Sequence, residues 1–359
     1  GPLTPLDRAL YAVWWGPLAR RLPLWLAPNA VTLAGAAAAA ASGLLLWACA
    51  PGLTEEIPRW AEFLACGLLL FYQTCDALDG MQARRTGASS PLGGLFDHGT
   101  DCICITVGTI GYCASQRLGF GPLTFVSLCV SWVPWWAAQW EAYHTGLMRT
   151  GGTLFGITEI ELVVAFIHLA SGLCGPGLWA LPVPLPHVPG TALGGGGVEL
   201  RHLCTGIQLT VATVLTALSV RNVLAVSETP RAAAAALRRA GPLAALVALT
   251  VLWPATLPGL QPLLLCLVVC FVYIRITCEL VLCCMTQEAY PSWQPTLALL
   301  PAYYAAGFFG LLGGWPGTLS MGAYAALCAW DACQYILDVV EEAAAHLGVH
   351  VLRVTRRDD

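Results

Sequence analysis

Four aspartates are concentrated in residues 76–101, which read DALDGMQARRTGASSPLGGLFDHGTD. Asp76 and Asp79 are three residues apart, and Asp97 and Asp101 are four apart, so each pair shares one face of a helix. Two antiparallel helices can point both pairs at a common centre. Carboxylates that converge in this way repel one another unless cations lie between them, and oxygen ligands favour hard ions such as Mg²⁺ or Mn²⁺. The stretch therefore predicts a divalent-metal site.

Small residues and an arginine in the same stretch suit a phosphorylated ligand. Gly80, Ala83 and Gly93 leave room where a bulky ligand approaches the backbone. Arg84 offers a planar fork of donors to a phosphate. Two metal ions that bridge a diphosphate would orient it and stabilise charge as a P–O bond breaks. We therefore expect phosphoryl-type transfer. The alternative is a structural charge cluster, but four acids beside one or two arginines are poorly balanced without metal.

The rest of the chain is apolar. Of 359 residues, 57% are hydrophobic and 11% are charged, whereas a soluble domain has about 25% charged residues. The sequence predicts an all-α polytopic membrane protein with about ten transmembrane helices, each close to the ~20 residues that cross a bilayer. The predicted spans are about 29–50, 61–82, 93–116, 121–143, 157–175, 202–225, 242–258, 262–284, 296–313 and 318–345.

These spans divide the chain into four regions. Residues 1–28 combine tryptophans with arginines, which is typical of an amphipathic helix lying in the membrane interface. Residues 29–225 form a predicted catalytic core of six spans. Residues 226–345 hold four further spans, a candidate region for the lipid acceptor and for dimerisation. Residues 346–359 form a predicted cytoplasmic tail.

The arginines predict the orientation in the membrane. With a cytoplasmic N-terminus, the opposite side carries only Arg59, Arg117 and Arg201, and the other arginines outside the spans are cytoplasmic. Cytoplasmic loops are the ones enriched in basic residues. We therefore expect both termini and the aspartate-rich stretch at the cytoplasmic face. No basic tract indicates a nucleic-acid partner.

The aspartate-rich stretch resembles the signature of the CDP-alcohol phosphotransferase family. The matching pattern is Asp76-x2-Asp79-Gly80-x2-Ala83-Arg84-x8-Gly93-x3-Asp97-x3-Asp101. The flanking segments PLWLAPNAVTLAG, QWEAYHTG and ITEIEL are similar to the eukaryotic choline/ethanolamine phosphotransferase branch, and the resemblance covers about residues 20–170. Two positions depart from that branch, Met81 in place of its usual lysine and Gly94 in place of its usual glutamate.

The resemblance implies a reaction. A hydroxyl of diacylglycerol, or of alkyl-acyl-glycerol, attacks the β-phosphorus of CDP-choline or CDP-ethanolamine, and CMP leaves. The product is phosphatidylcholine or phosphatidylethanolamine, the last step of the CDP-alcohol (Kennedy) pathway. The resemblance also implies a homodimer in the membrane of the endoplasmic reticulum or the Golgi, with the active site facing the cytoplasm.

The resemblance also assigns residues to ligands. Two ions, Mg²⁺ or Mn²⁺, are held by Asp76, Asp79, Asp97 and Asp101. The cytidine nucleotide is lined by Asn29, Gly80, Ala83, Arg84 and Gly93.

The general base has two candidates. Asp101 is the base often assigned in the wider family, whereas the choline/ethanolamine branch implicates residues that map to His98 and Glu159. His98 is favoured because imidazole titrates near neutral pH and because Asp101 should be occupied as a metal ligand. Glu159 would orient the base. The alternatives are a histidine hydrogen-bonded to an aspartate, and a Glu159 that serves as a cap partner at the start of its helix.

Headgroup recognition rests on Trp140 and Tyr143, near the end of the fourth predicted span. Aromatic faces hold quaternary ammonium groups, although aromatic residues at this depth also form interface belts. The sequence leaves choline and ethanolamine undecided. The alternative functions are a CDP-alcohol phosphotransferase with another alcohol acceptor, and a membrane transporter. A transporter would more often show internal repeats, and none is convincing in the sequence.

Overall fold

Helices are the main regular structure in the residues that the computed structural model of the protein describes. These are residues 3–149, 151, 155–183, 197–252, 257–291, 293–348 and 350–354, and no strand occurs within them. The all-α prediction is confirmed.

Thirteen α-helices occur within the described residues. Their bounds are α1 (Pro5–Leu10), α2 (Gly16–Arg21), α3 (Pro28–Cys49), α4 (Arg59–Thr86), α5 (Pro91–Ser115), α6 (Pro122–Thr145), α7 (Ile157–Cys174), α8 (Leu200–Val226), α9 (Pro230–Arg239), α10 (Gly241–Val251), α11 (Gln261–Thr286), α12 (Pro295–Phe308) and α13 (Gly314–Leu347). A π-helical turn, Tyr11–Trp15, joins α1 to α2, and a 3₁₀ turn, Leu178–Ala180, follows α7.

Several helices can cross a membrane. Among the described residues, five are long and apolar enough by length and composition, namely α3, α4, α7, α8 and α11. The pair α9 and α10, bent by 48° at its break, makes six if it counts as one span. The chain is thus an integral membrane protein, but the count of ten spans is not confirmed. The 14 residues of α12 rise only about 21 Å, short of a hydrocarbon core of about 30 Å.

The N-terminal helices pack against the end of α4 that carries the aspartates. Trp15 is buried in a small cluster with Leu78. Arg85 donates from its guanidinium to the carbonyl oxygens of Ala19 and Leu22, which lie in and just after the last turn of α2. Trp25 remains 77% exposed. Residues 1–28 are thus anchored to α4 and still expose an aromatic side chain. Both features are consistent with the interfacial position expected for this segment.

Helix α3 brings α4 and α5 close together through small residues. A Cβ atom at Gly43 would lie 2.3 Å from the carbonyl oxygen of Val107 on α5, and one at Gly35 would lie 2.7 Å from the Cβ of Cys75 on α4. Neither distance is compatible with a side chain. Helix backbones in membranes approach closely at such positions, and α3 in this way fixes the two helices that carry the aspartates.

A buried polar cluster ties α4, α5 and α7 together at the opposite end of α4. The Glu62 Oε2 atom lies 3.0 Å from Nδ1 of His168 and accepts a 2.9 Å hydrogen bond from Ser115 Oγ. All three side chains are buried. These buried side chains are hydrogen-bond partners of one another, as buried polar groups generally are. The cluster therefore stabilises the packing of the three helices at this end of the bundle.

Candidate active site

A tight turn between α4 and α5 sets the geometry of the site. Gly87 ends α4 in the left-handed conformation, at φ +69°, where a side chain would be strained. Ser90 then caps α5 by accepting a 3.2 Å hydrogen bond from the Gly93 N–H. The turn returns the chain antiparallel to α4, so the carboxylates of the two helices face one another.

Three of the four aspartates converge. Asp76, Asp97 and Asp101 offer carboxylate oxygens that all lie within 4.8 Å of one another. Asp101 also accepts a 2.9 Å hydrogen bond from the Tyr72 hydroxyl. Oδ1 of Asp97 is buried and has no hydrogen-bond partner in the described part of the chain. An all-oxygen donor set with an orphaned buried carboxylate oxygen fits a hard divalent cation.

Asp79 lies in the same cavity but outside this group of three. It is 5% exposed and accepts a 2.5 Å hydrogen bond from Thr32 Oγ1 on α3. Thr32 therefore positions Asp79, a role that the sequence reasoning missed. The available signal was its spacing, because Thr32 is one helical turn from Asn29 on the helix that packs against α4.

The aspartates form the polar end of a cavity of about 1150 Å³. Its polar wall holds Asp76, Asp79, Arg84, Asp97, His98 and Asp101. Its remaining wall is largely apolar and includes Val163, Phe166, Ile207, Val211 and Leu215 from α7 and α8. Ligand pockets commonly measure about 300–1000 Å³, so this cavity has room for a ligand with a polar head and an apolar body.

His98 faces the cavity without a hydrogen bond of its own. Its Nε2 atom is 3.8 Å from Oδ2 of Asp97, beyond hydrogen-bond distance. Its Nδ1 atom is buried without a partner among the described residues. The ring meets Trp135 edge-on, with centroids 6.1 Å apart. The imidazole is thus held by packing and keeps its nitrogens available to a ligand.

Glu159 is engaged at the start of α7. Its Oε2 atom accepts a 2.8 Å hydrogen bond from the Gly156 N–H, which is a capping contact. It does not belong to the cavity wall, whereas Glu161 on the same helix does. The sequence reasoning missed Glu161.

The residues expected around the nucleotide divide into two groups. Gly80 and Arg84 line the large cavity, and Ala83 precedes Arg84 on α4 without lining it. Asn29 lies in a second, small cavity of about 60 Å³ and donates from Nδ2 to the carbonyl oxygen of Val351, at 3.0 Å. Gly93 lies next to it, since a Cβ there would be 3.6 Å from the Asn29 side-chain oxygen.

The aromatic residues expected around the headgroup contact other parts of the protein. Trp140 is 2% exposed and donates from Nε1 to the carbonyl oxygen of Ala236. Tyr143 donates its hydroxyl to the carbonyl oxygen of Glu288, at 2.8 Å. Neither lines the cavity, but Trp135 on the same helix does. These contacts favour a packing role for Trp140 and Tyr143.

Comparison with known proteins agrees with this geometry. Residues 25–168 match the family model described as CDP-alcohol phosphatidyltransferase. Cholinephosphotransferase 1 of Gallus gallus is 41% identical over 183 residues, which are 50% of this chain and 54% of the relative. Cholinephosphotransferase 1 of Homo sapiens is 37% identical over 182 residues, 49% of this chain and 43% of the relative.

The matched region covers both helices of the aspartate-rich hairpin and most of α7. The chain spans about half the length of the curated relatives that it matches. Residues 25–168 thus match a CDP-alcohol phosphatidyltransferase domain, which confirms over this region the family resemblance inferred from the spacing of the aspartates.

Proposed function

We propose that the protein transfers phosphocholine, or phosphoethanolamine, from the CDP-alcohol to diacylglycerol and releases CMP. The observation that carries this proposal is the convergence of Asp76, Asp97 and Asp101 at the polar end of a cavity whose other wall is apolar. A charged diphosphate and an apolar acceptor would meet where these two surfaces join. The names of the relatives, cholinephosphotransferase 1, favour choline as the headgroup.

The carboxylates are proposed to hold divalent metal, Mg²⁺ or Mn²⁺. Asp76, Asp97 and Asp101 supply converging oxygens, and Asp79 faces the same cavity from one helical turn away. A bound divalent ion would neutralise the diphosphate and stabilise the charge that develops on departing CMP. The resemblance implies two such ions. Arg84, in the same wall, can donate to the phosphates from its guanidinium.

His98 is proposed as the general base. The attacking hydroxyl must lose its proton, and His98 is the group in the cavity wall whose ring nitrogens have no hydrogen bond in the described part of the chain. Asp101 is the alternative base, but its carboxylate already accepts from Tyr72 and faces the other aspartates. A positioned base contributes about 10²–10⁴-fold to a rate.

The apolar part of the cavity supports a lipid acceptor. It is walled by α7 and α8, whose main packing partners are α4 and α6 respectively. Val163 on α7 and Ile207 on α8 are each more than half exposed as well as lining the cavity. A glyceride can occupy such a space with its chains among the lipids, whereas a small polar alcohol would gain little from it.

The location follows from the proposed chemistry. Soluble CDP-alcohols would be supplied from the cytoplasm, and the arginine distribution predicts that the aspartates lie at that face. We therefore propose a cytoplasm-facing active site in the membrane of the endoplasmic reticulum or the Golgi. A homodimer is proposed from the family resemblance.

The proposal is tested by CMP release from the purified protein. CDP-choline and CDP-ethanolamine are supplied separately, with diacylglycerol and Mg²⁺ in mixed micelles. We expect CMP release that depends on both diacylglycerol and Mg²⁺. If neither CDP-alcohol gives CMP, the proposed function is wrong.

A further inference from the structure

Glu161 places a carboxylate in the cavity wall, and one of its oxygens has no partner in the described part of the chain. It lies on α7, and its side chain lines the large cavity together with the aspartates. Its Oε2 atom is shielded from solvent and has no hydrogen-bond partner within the described residues. A shielded carboxylate oxygen without a donor is costly, and such a group at a ligand cavity is expected to meet something that the ligand brings.

Three other carboxylates in the wall differ from Glu161 in this respect, whereas the unpartnered Oδ1 of Asp97 belongs to the proposed metal centre. Asp79 accepts from Thr32, and Asp101 accepts from Tyr72. Glu141, which also lines the cavity, is almost fully buried and contacts both Arg149 and Asn222. The protein therefore neutralises or hydrogen-bonds its other glutamate in this wall, but it leaves Oε2 of Glu161 open.

The charged surroundings of Glu161 are acidic. It shares the cavity wall with Asp76, Asp97 and Asp101, all of which are carboxylates. Of the arginines in the same wall, Arg149 contacts Glu141, and neither Arg84 nor Arg221 forms an ion pair with Glu161 within the described residues. An ionised carboxylate beside other carboxylates is stabilised by a cation, and a ligand that enters the cavity can bring one.

Glu161 lies on α7, outside the hairpin of α4 and α5 that carries the proposed metal ligands. The three carboxylates whose oxygens lie within 4.8 Å of one another are Asp76, Asp97 and Asp101, and Glu161 is not among them. We therefore treat the cation that it meets as separate from an ion at that centre, and the Mg²⁺ requirement measured below tests this separation. In a CDP-alcohol, the ammonium nitrogen follows the β-phosphorus through one oxygen and two carbons, so it lies in the same cavity as the phosphorus but apart from it.

We infer that Glu161 is the anionic partner of the ligand's ammonium group and so determines affinity for the cationic headgroup. This inference rests on the proposed function. The aromatic rings of Tyr72 and Trp135 line the same cavity and offer faces to the same cation. A carboxylate with aromatic rings around an ammonium group would favour the charged headgroup over CMP, which has none.

The test compares Glu161→Gln and Glu161→Asp with the wild-type full chain. Glu342→Gln, an exposed glutamate on α13, is the matched control for a Glu→Gln change outside the cavity. For each protein the KM for CDP-choline, the inhibition constant of CMP and the half-saturating Mg²⁺ concentration are measured. We expect Glu161→Gln to raise the KM at least about 10-fold, the size of a lost charge-assisted contact, with a smaller rise for Glu161→Asp.

The CMP inhibition constant and the half-saturating Mg²⁺ concentration distinguish headgroup binding from a nucleotide-binding or metal-binding role of Glu161. We expect the CMP inhibition constant and the Mg²⁺ requirement to stay at wild-type values in both variants, which also shows that they are folded. An unchanged KM in Glu161→Gln would overturn the inference. An equal loss of CMP affinity, or a raised Mg²⁺ requirement, would overturn it in favour of a nucleotide or metal role. No CMP release by the wild type from either CDP-alcohol would instead overturn the proposed function, and the inference with it.

Discussion

The hydroxyl of Tyr72 donates a 2.9 Å hydrogen bond to Oδ1 of Asp101, across the interface between α4 and α5. Tyr72 is one helical turn before Asp76, so the same face of α4 provides a carboxylate and the group that orients a second carboxylate. With Oδ1 held by the phenol, the carboxylate of Asp101 has a fixed orientation toward Asp76 and Asp97. Such supporting hydrogen bonds set the affinity of metal sites.

Replacing Tyr72 with phenylalanine should therefore weaken metal binding. We expect Tyr72→Phe to raise the Mg²⁺ concentration that half-saturates turnover by about 10-fold or more, the usual effect of losing a supporting hydrogen bond. Turnover at saturating Mg²⁺ should recover substantially. The exposed Tyr11→Phe serves as the control. An unchanged Mg²⁺ requirement in Tyr72→Phe would show that Asp101 does not need this contact.

The proposed base makes a separate prediction. His98→Ala should lower kcat by about 10²–10⁴-fold, since it removes the group that takes the proton from the hydroxyl. CDP-choline binding, measured by calorimetry, should remain near the wild-type value because the carboxylates and Arg84 are untouched. The exposed His346→Ala is the control. Turnover retained in His98→Ala would transfer the role to Asp101.

An isosteric substitution distinguishes a capping role of Glu159 from a role in orienting the base. Glu159→Gln keeps an oxygen that accepts from the Gly156 N–H, so the cap at the start of α7 should survive. We therefore expect kcat and thermal stability near the wild-type values. Glu159→Ala should destabilise the protein by about 0.5–1.5 kcal/mol through loss of this hydrogen bond. A fall of more than about 10-fold in the kcat of Glu159→Gln would support the orienting role predicted from the sequence.

Two tryptophans of α6 provide a matched pair. Trp140 packs away from the cavity, with its indole N–H on the Ala236 carbonyl, whereas Trp135 lines the cavity next to His98. We expect Trp140→Phe to lower thermal stability and to leave the KM for CDP-choline unchanged. Trp135→Phe should raise that KM. If Trp140→Phe were the variant with the raised KM, the aromatic headgroup site predicted from the sequence would regain support.

The helical class and the aspartate cluster could be predicted from the sequence because both depend on local spacing. The helical repeat determines which face of its helix carries Asp76 and which face carries Asp101. The short turn after Gly87 then brings the two helices together. The orientation of residues on α7 could not be predicted in this way. Glu159 and Glu161 are two positions apart and so point to different sides of the helix, and only the packing partners decide which side faces the cavity.

The number of spans shows the same limit. Hydropathy does not distinguish a helix that faces lipid from one that is apolar because it is buried among other helices. The residues of α12 are apolar, yet the helix is only 14 residues long. The surroundings of Trp140 could not be predicted from the sequence either. Aromatic residues with the same spacing on a helix can pack against other helices or contact a ligand.

The most direct test of the central claim follows the headgroup itself. Purified protein receives CDP-choline labelled in the choline methyl groups, with diacylglycerol and Mg²⁺, and both CMP and labelled lipid are quantified by mass spectrometry. The account predicts equal amounts of CMP and labelled phosphatidylcholine from the wild type, and neither from Asp97→Asn. CMP without labelled lipid, or undiminished lipid synthesis by Asp97→Asn, would contradict it.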